Sequence, residues 1–331
     1  MRRNFIGEKD LSRKAGSFNL AMAVVKSGNK GSIEKSAYAI RTLAGFIKEE
    51  FDLKNLAKLE REHMATFAEH LREKVNAGEI ALANAANIVS CLNTVFNHFG
   101  RDDLKLSAKE EGLSRGPKYD NKDKSVSAVV HDKFLNYLND KLNQTGDSRF
   151  QALKLSVQLQ RELGLRFKES TLFDGAKLNK SNQTITIVNG TKGGQARQVP
   201  VTEKALNLIK QIQEFRKENN YTRSLIPDNM NFKIWQTFAY HTVTNFNNEY
   251  GEQFHYHGER HHYAQERYKE LTGVEPPAKI GLSKEEYLNY AASKLNISIN
   301  ETVELIKEAR LIVSEELGHH RLEITNSYLG R

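Results

Sequence analysis

The stretch LGHHRLEITNSYLGR, residues 317–331, sets a histidine-rich turn nine residues ahead of a tyrosine, His319 before Tyr328. On its own, Tyr328 reads as an aromatic packed near a chain end. As a nucleophile it faces two obstacles. A phenol titrates at about 10, so at neutral pH it attacks poorly without help. A phosphodiester target is itself an anion, so cations must screen it and stabilise the pentacoordinate transition state. Arginine suits that task, because its planar fork grips phosphate oxygens and stays charged. The departing alkoxide needs a proton, which a lysine can give. Such chemistry requires no Mg²⁺, and the sequence shows no carboxylate cluster to hold one.

Upstream, the chain supplies such parts at separated points. ELGLRFKES (162–170) places Arg166 after a glycine turn in an otherwise apolar helical region. GTKGGQARQVPV (190–201) puts Lys192 at the tip of a hairpin, and HYHGERHHYA (255–264) offers His257 and Arg260 on one helical face. In isolation, Arg166 is a cation at a helix end and Lys192 a solvated turn residue. The histidines invite a zinc reading, since His257 and His261 stand four apart. The H-E-x-x-H pattern is absent, however, because residue 258 is glycine. His257–Glu259 lacks the paired cysteines of a zinc deaminase. GTKGG also lacks the spacing of a nucleotide-binding P-loop. No metal site and no cofactor are expected.

Read in order, these boxes resemble the tyrosine recombinases, the integrase family of phages and mobile elements. GLRFKE is similar to that family's first-arginine box, with Glu169 at the position of a supporting acid. TKGGQARQVPV resembles its β-hairpin lysine, HGERHHYA its His-x-x-Arg-His box, and LGHHRLEITNSY its terminal box. Each box alone is weak; all of them in this order are strong. The resemblance implies that Tyr328 attacks a scissile phosphate, forming a 3′-phosphotyrosyl link and freeing a 5′-hydroxyl. It implies that Arg166 and Arg260 hold the non-bridging oxygens and that Lys192 protonates the leaving oxygen. His257 would assist proton transfer, His319 would hydrogen-bond the phosphate, and His261 would be a supporting residue lining the DNA side. Double-stranded DNA is the implied partner, bound at specific recombination sites by a homo-tetramer. DNA-bending or directionality proteins are implied as accessories. A type IB topoisomerase-like enzyme shares the phosphotyrosine step, and a non-catalytic DNA-binding protein could keep the fold; both stay open as alternatives.

The rest of the chain fits a two-domain reading. At 331 residues, with 39% hydrophobic and 27% charged residues, it has the composition of an ordinary globular protein. A net charge of +8 favours a polyanionic partner, nucleic acid before anionic membrane. There is no run of about 18 apolar residues and no apolar core in the opening residues, so a cytoplasmic, nucleoid-associated protein without membrane contact is expected. Ile40, Leu43 and Ile47, then Met64, Phe67, Leu71 and Val75, then Ile88, Leu92, Val95 and Phe99 recur at spacings of three and four. They predict a helical bundle over about residues 15–110. Cys91, the one cysteine, is expected as a buried core thiol.

The stretch from 113 to 126 loses this period and reads as a linker carrying Arg115, Lys118, Lys122 and Lys124, residues that could lie along a phosphate backbone. Helical periodicity returns after residue 125. A hairpin pairs Thr184–Val188 with Arg197–Val201, and helices resume from Glu203. The expected fold is mainly α with a small antiparallel β-sheet in the C-terminal domain. The expected domains are a helical, SAM-like core-binding domain over 1–112 and a catalytic domain over 127–331. One departure from the family is an extra stretch, about 272–305. Its two capping-box patterns, Ser283/Glu286 and Ser298/Glu301, predict two inserted helices of outer, structural character. With few residues after Tyr328, tetramer contacts are expected from elsewhere, the insertion included.

Overall fold

A computed structural model describes residues 33–53, 58–115, 121–175, 177–179, 181 and 183–331. Residues 15–32 of the expected bundle and the linker residue Lys118 lie outside the described residues. The chain divides into two compact units between residues 118 and 119.

In the first unit the described helices are α1 (Ile33–Phe51), α2 (Arg61–Asn76) and α3 (Leu82–His98). Each turns one apolar stripe inward. Ile40, Leu43 and Ile47 meet Met64, Phe67 and Leu71, and both sets meet Ile88, Leu92 and Val95, all buried in one core. Val75 and Phe99, at the ends of their helices, are only partly covered. Cys91 is half-buried rather than enclosed. At 100° per residue it falls at the rim of the Ile88–Leu92–Val95 stripe, not on it. Arg115 is drawn back to the start of α3, donating to the Ala83 carbonyl at 3.1 Å and to Asn87 Oδ1.

The second unit runs α4 (Ala128–Thr145), α5 (Ser148–Leu163), α6 (Phe167–Thr171), β1 (Leu178–Asn179), β2 (Thr184–Ile187), β3 (Arg197–Pro200), α7 (Glu203–Glu218), α8 (Phe232–Tyr250), α9 (Tyr256–Thr272), α10 (Pro277–Ile280), α11 (Lys284–Leu295), α12 (Ile299–Glu316) and α13 (Leu322–Leu329). The predicted hairpin is present in the register Ile185↔Val199 and Ile187↔Arg197. A third strand, β1, pairs antiparallel on the far side of β2. Two residues are too few to carry a period, so the sequence could not announce it. Both capping boxes form, at Ser283/Glu286 and Ser298/Glu301. The helix that the second one starts, α12, does not stop inside the extra stretch. It runs unbroken to Glu316 and delivers the 317–319 turn. Among the described residues no helix is long and apolar enough to cross a membrane.

Gly164 ends α5 with a left-handed φ of 59°. A Cβ there would run into the ring of Tyr263 on α9, so only glycine fits. The chain therefore leaves α5 sharply and, two residues on, presents Arg166 as the N-cap of α6.

Candidate active site

The arginines converge because of one buried acid. Glu169, in the first turn of α6, accepts hydrogen bonds from the backbone N–H of Arg166 (2.7 Å) and from its Nη1 (2.8 Å). Arg197, facing inward from β3, meets both oxygens of Glu169, at 2.9 and 2.6 Å. Arg260 Nη1 lies 3.9 Å away. Burial opposes a charge on Glu169, but hydrogen bonds and charge from Arg197, with the charge of Arg260, hold its pKa at about 2. Sequence reasoning missed Arg197. Strand alternation was the available signal: Arg197 shares a face with buried Val199, and an arginine pointing inward needs a buried acid.

Arg197 also fixes the turn that follows α12, donating from Nε to the Glu316 carbonyl at 2.7 Å. The Glu316 side chain, missed as well, accepts from Tyr263 Oη (2.8 Å) and Arg267 Nε (3.1 Å). Tyr263 and Arg267 follow Arg260 by three and seven residues, on the same face of α9. The turn is thus locked to the helix carrying Arg260. The Leu317 carbonyl accepts from Arg260 Nη2 and, at 3.5 Å, from Arg166 Nη2.

Into this frame comes Tyr328 of α13. Its hydroxyl oxygen accepts from Arg260 Nε at 3.2 Å, and the hydroxyl lies 3.2 Å from His319 Nε2. That nitrogen is also 3.3 Å from Arg260 Nη2 and 3.5 Å from Arg166 Nη2. Two guanidinium groups, an imidazole and a phenol therefore share one pocket. Burial, then the charges of Arg260, Arg166 and Arg197, push His319 down to about 3, so at neutral pH its ring is uncharged, with one nitrogen a donor and the other an acceptor. Arg260 is fully buried; burial, with like charge from Arg166 and Arg197, lowers it to about 10 against the opposing pull of Tyr328, leaving a cation at neutral pH.

The other predicted residues are placed differently. His257 is exposed, its ring 5.6 Å from that of Tyr328. His261 is buried, its ring 4.7 Å from that of Tyr328, and its Nδ1 has no hydrogen-bond partner among the described residues. Lys192 stands exposed at the hairpin tip, making no hydrogen bond or ion pair with another described residue; the structure does not bring it to the cluster. Lys122 and Lys124 are exposed. Among the described residues no group of three His, Cys, Asp or Glu is arranged to hold a metal ion.

The histidines make the fold acid-sensitive. Burial, then neighbouring charge, lowers His261 to about 3 and His262 to about 4. These folded values lie below the ordinary 6.5, so as pH falls the unfolded chain takes up the protons first. The associated stability is complete above pH 6.5 and is lost as pH falls toward 3, at about 1.4 kcal/mol per pH unit for a single buried histidine. Glu169 acts in the same sense below 4.5. Thermal melts should show a lower Tm at pH 5 than at pH 7, and His261→Phe should shrink the difference. An equal Tm at both pH values would contradict this.

A family model described as "Integrase" matches residues 123–266, a span holding Arg166, Lys192, His257 and Arg260 and ending before Tyr328. No curated protein sequence matches the chain significantly. Among solved structures, the fold is similar to that of XerH site-specific recombinase in a post-cleavage complex with palindromic difH substrate. The identity is 17% and the TM-score 0.56, over 99% of this chain and 87% of that one. It is also similar to the Tn1549 transposon integrase in complex with circular intermediate DNA. There the identity is 14% and the TM-score 0.57, over 96% and 95% of the two chains. At these identities the likeness is one of fold.

Proposed function

Because the chain belongs to the integrase family of tyrosine recombinases, we propose that it cuts and rejoins double-stranded DNA at specific sites through a 3′-phosphotyrosyl bond on Tyr328. What supports the assignment of the nucleophile is the convergence of Arg260 Nε and His319 Nε2 on the Tyr328 hydroxyl, each at 3.2 Å, within one chain. In this reading attack is in cis.

In this reading the phenolic oxygen bonds to phosphorus and the 5′-oxygen leaves. The phenol proton passes toward the histidines, with His257 at the open side assisting. Arg166 and Arg260 neutralise the non-bridging oxygens, and His319 hydrogen-bonds the phosphate. Lys192 gives the departing 5′-oxygen its proton. The covalent bond conserves the phosphodiester energy, so a 5′-hydroxyl of another strand reverses the step without ATP. The guanidinium groups supply the charge that a metal would otherwise provide. The working assembly is a homo-tetramer on paired DNA sites, with DNA-bending or directionality proteins as accessories. Lys122 and Lys124 lie along the phosphate backbone.

The test of strand transfer is to select a duplex from a random library with the full chain and assay it for exchange. Supercoil relaxation by the lone enzyme without exchange would favour the topoisomerase reading instead. The lysine role has its own test. Lys192→Ala should slow cleavage by about 10²–10⁴-fold, the span of general acid catalysis, with DNA affinity nearly intact. A 5′-bridging phosphorothiolate, whose leaving group needs no proton, should restore the rate. If it does not, Lys192 is not the general acid.

A further inference from the structure

The nucleophile helix α13 is tied to its own domain from two sides. On one, Arg310 donates to Asn326 Oδ1 (2.8 Å) and to the Gly330 carbonyl (2.9 Å). On the other, the ties come from the segment just ahead of α4. Asn121 Oδ1 accepts from the Arg331 backbone N–H at 2.8 Å, and Asn121 Nδ2 donates to the Leu282 carbonyl at 3.1 Å. Asp123 Oδ1 accepts from the backbone N–H of Ser125 (2.8 Å) and from Gln265 Nε2 (2.9 Å). The same Gln265 Nε2 donates to the backbone carbonyl of Tyr328 at 3.2 Å.

Gln265 is fully buried on α9, and its Oε1 has no partner among the described residues. An acceptor left empty in the interior is costly, so this amide is not placed to satisfy itself. Its two N–H groups join Asp123 to the main chain of the nucleophile. Asp123 lies between the exposed Lys122 and Lys124.

We infer that Asp123 and Gln265 are positioning residues that link the segment bearing Lys122 and Lys124 to the main chain of Tyr328. The inference rests on the strand-transfer reading above. Grip of that segment on a phosphate backbone and placement of the phenolic oxygen then become one event. Placement matters because a misfit of about 1 Å at a reacting atom can cost about a hundredfold in rate.

The test compares Asp123→Ala with Asp123→Asn. Asparagine keeps an oxygen that can accept from Gln265 and Ser125 but loses the charge. On a duplex selected from a random library, Asp123→Ala should slow covalent-adduct formation at saturating DNA by about tenfold, with Kd within about twofold. Asp123→Asn should stay close to the parent. Without DNA, hydrogen–deuterium exchange over residues 322–331 should quicken in Asp123→Ala only. A purely structural staple would lower Tm without this split between rate and Kd. Unchanged rates, equal slowing in both variants, or unchanged exchange over 322–331 would each overturn the inference. If the parent chain forms no adduct on the duplex it selects, it is the strand-transfer reading that fails; the exchange arm still decides the tie.

Discussion

Tyr328→Phe is expected to fold and bind DNA but to form no covalent adduct. The ring stays packed against His261, 4.7 Å away, so the core around it is kept. The losses are the hydrogen bond to His319 Nε2, worth about 1 kcal/mol, and the one from the charged Arg260 Nε, worth about 1.5–3 kcal/mol. The chemistry has no substitute. Among the described residues no other hydroxyl or thiol is hydrogen-bonded to Arg260 or His319. Denaturing gels should show adduct with the parent chain and none with the variant, while filter binding gives Kd values within about twofold, as for an interaction made only in the transition state. Adduct from the phenylalanine variant would remove Tyr328 from the mechanism.

Arg260→Ala should be the next most damaging change, slowing cleavage by about 10³–10⁵-fold, the range a transition-state arginine supplies in phosphoryl transfer. Of the five N–H donors of a guanidinium, three serve Tyr328 Oη, the Gly164 carbonyl and the Leu317 carbonyl. The remainder can meet phosphate oxygens. Alanine also leaves buried carbonyls unpaired, at about 1–3 kcal/mol each, so some of its effect will be on folding. Arg260→Lys separates the two. It keeps the charge but loses the fork, and cannot serve a phenol, two carbonyls and a phosphate together. Circular dichroism should show the lysine variant folded, with cleavage still slowed by more than about a hundredfold. Near-parental cleavage by Arg260→Lys would mean that charge alone matters there.

The helical faces were legible because burial imposes a period on sequence. Ile40, Leu43 and Ile47 stand inside the first core, and Cys91, one step off its helix's stripe, stands at the rim. The hairpin was legible from its glycine turn and flanking β-branched residues. The pocket was only half legible. Arg166, Arg260, His319 and Tyr328 could be named from their order, but the acids and bases that hold them in place are dispersed. Arg197 sat in a box read for its lysine, and Glu316 sat beside a turn read for its histidine. Both carried a physical signal: a charge on an inward position. Glu316 follows buried Ala309 and Val313 by helical steps, so an acid there needed partners. What no local pattern could reveal is a tie across the fold, such as Gln265 reaching both Asp123 and Tyr328.

The most direct measurement traps the conjugate formed with a selected duplex, digests protein and DNA, and maps the residual nucleotides by mass spectrometry. The account predicts a nucleotide joined through its 3′-phosphate to the peptide containing Tyr328, with a free 5′-hydroxyl on the other product. A conjugate on any other residue, or one joined through a 5′-phosphate, would contradict it.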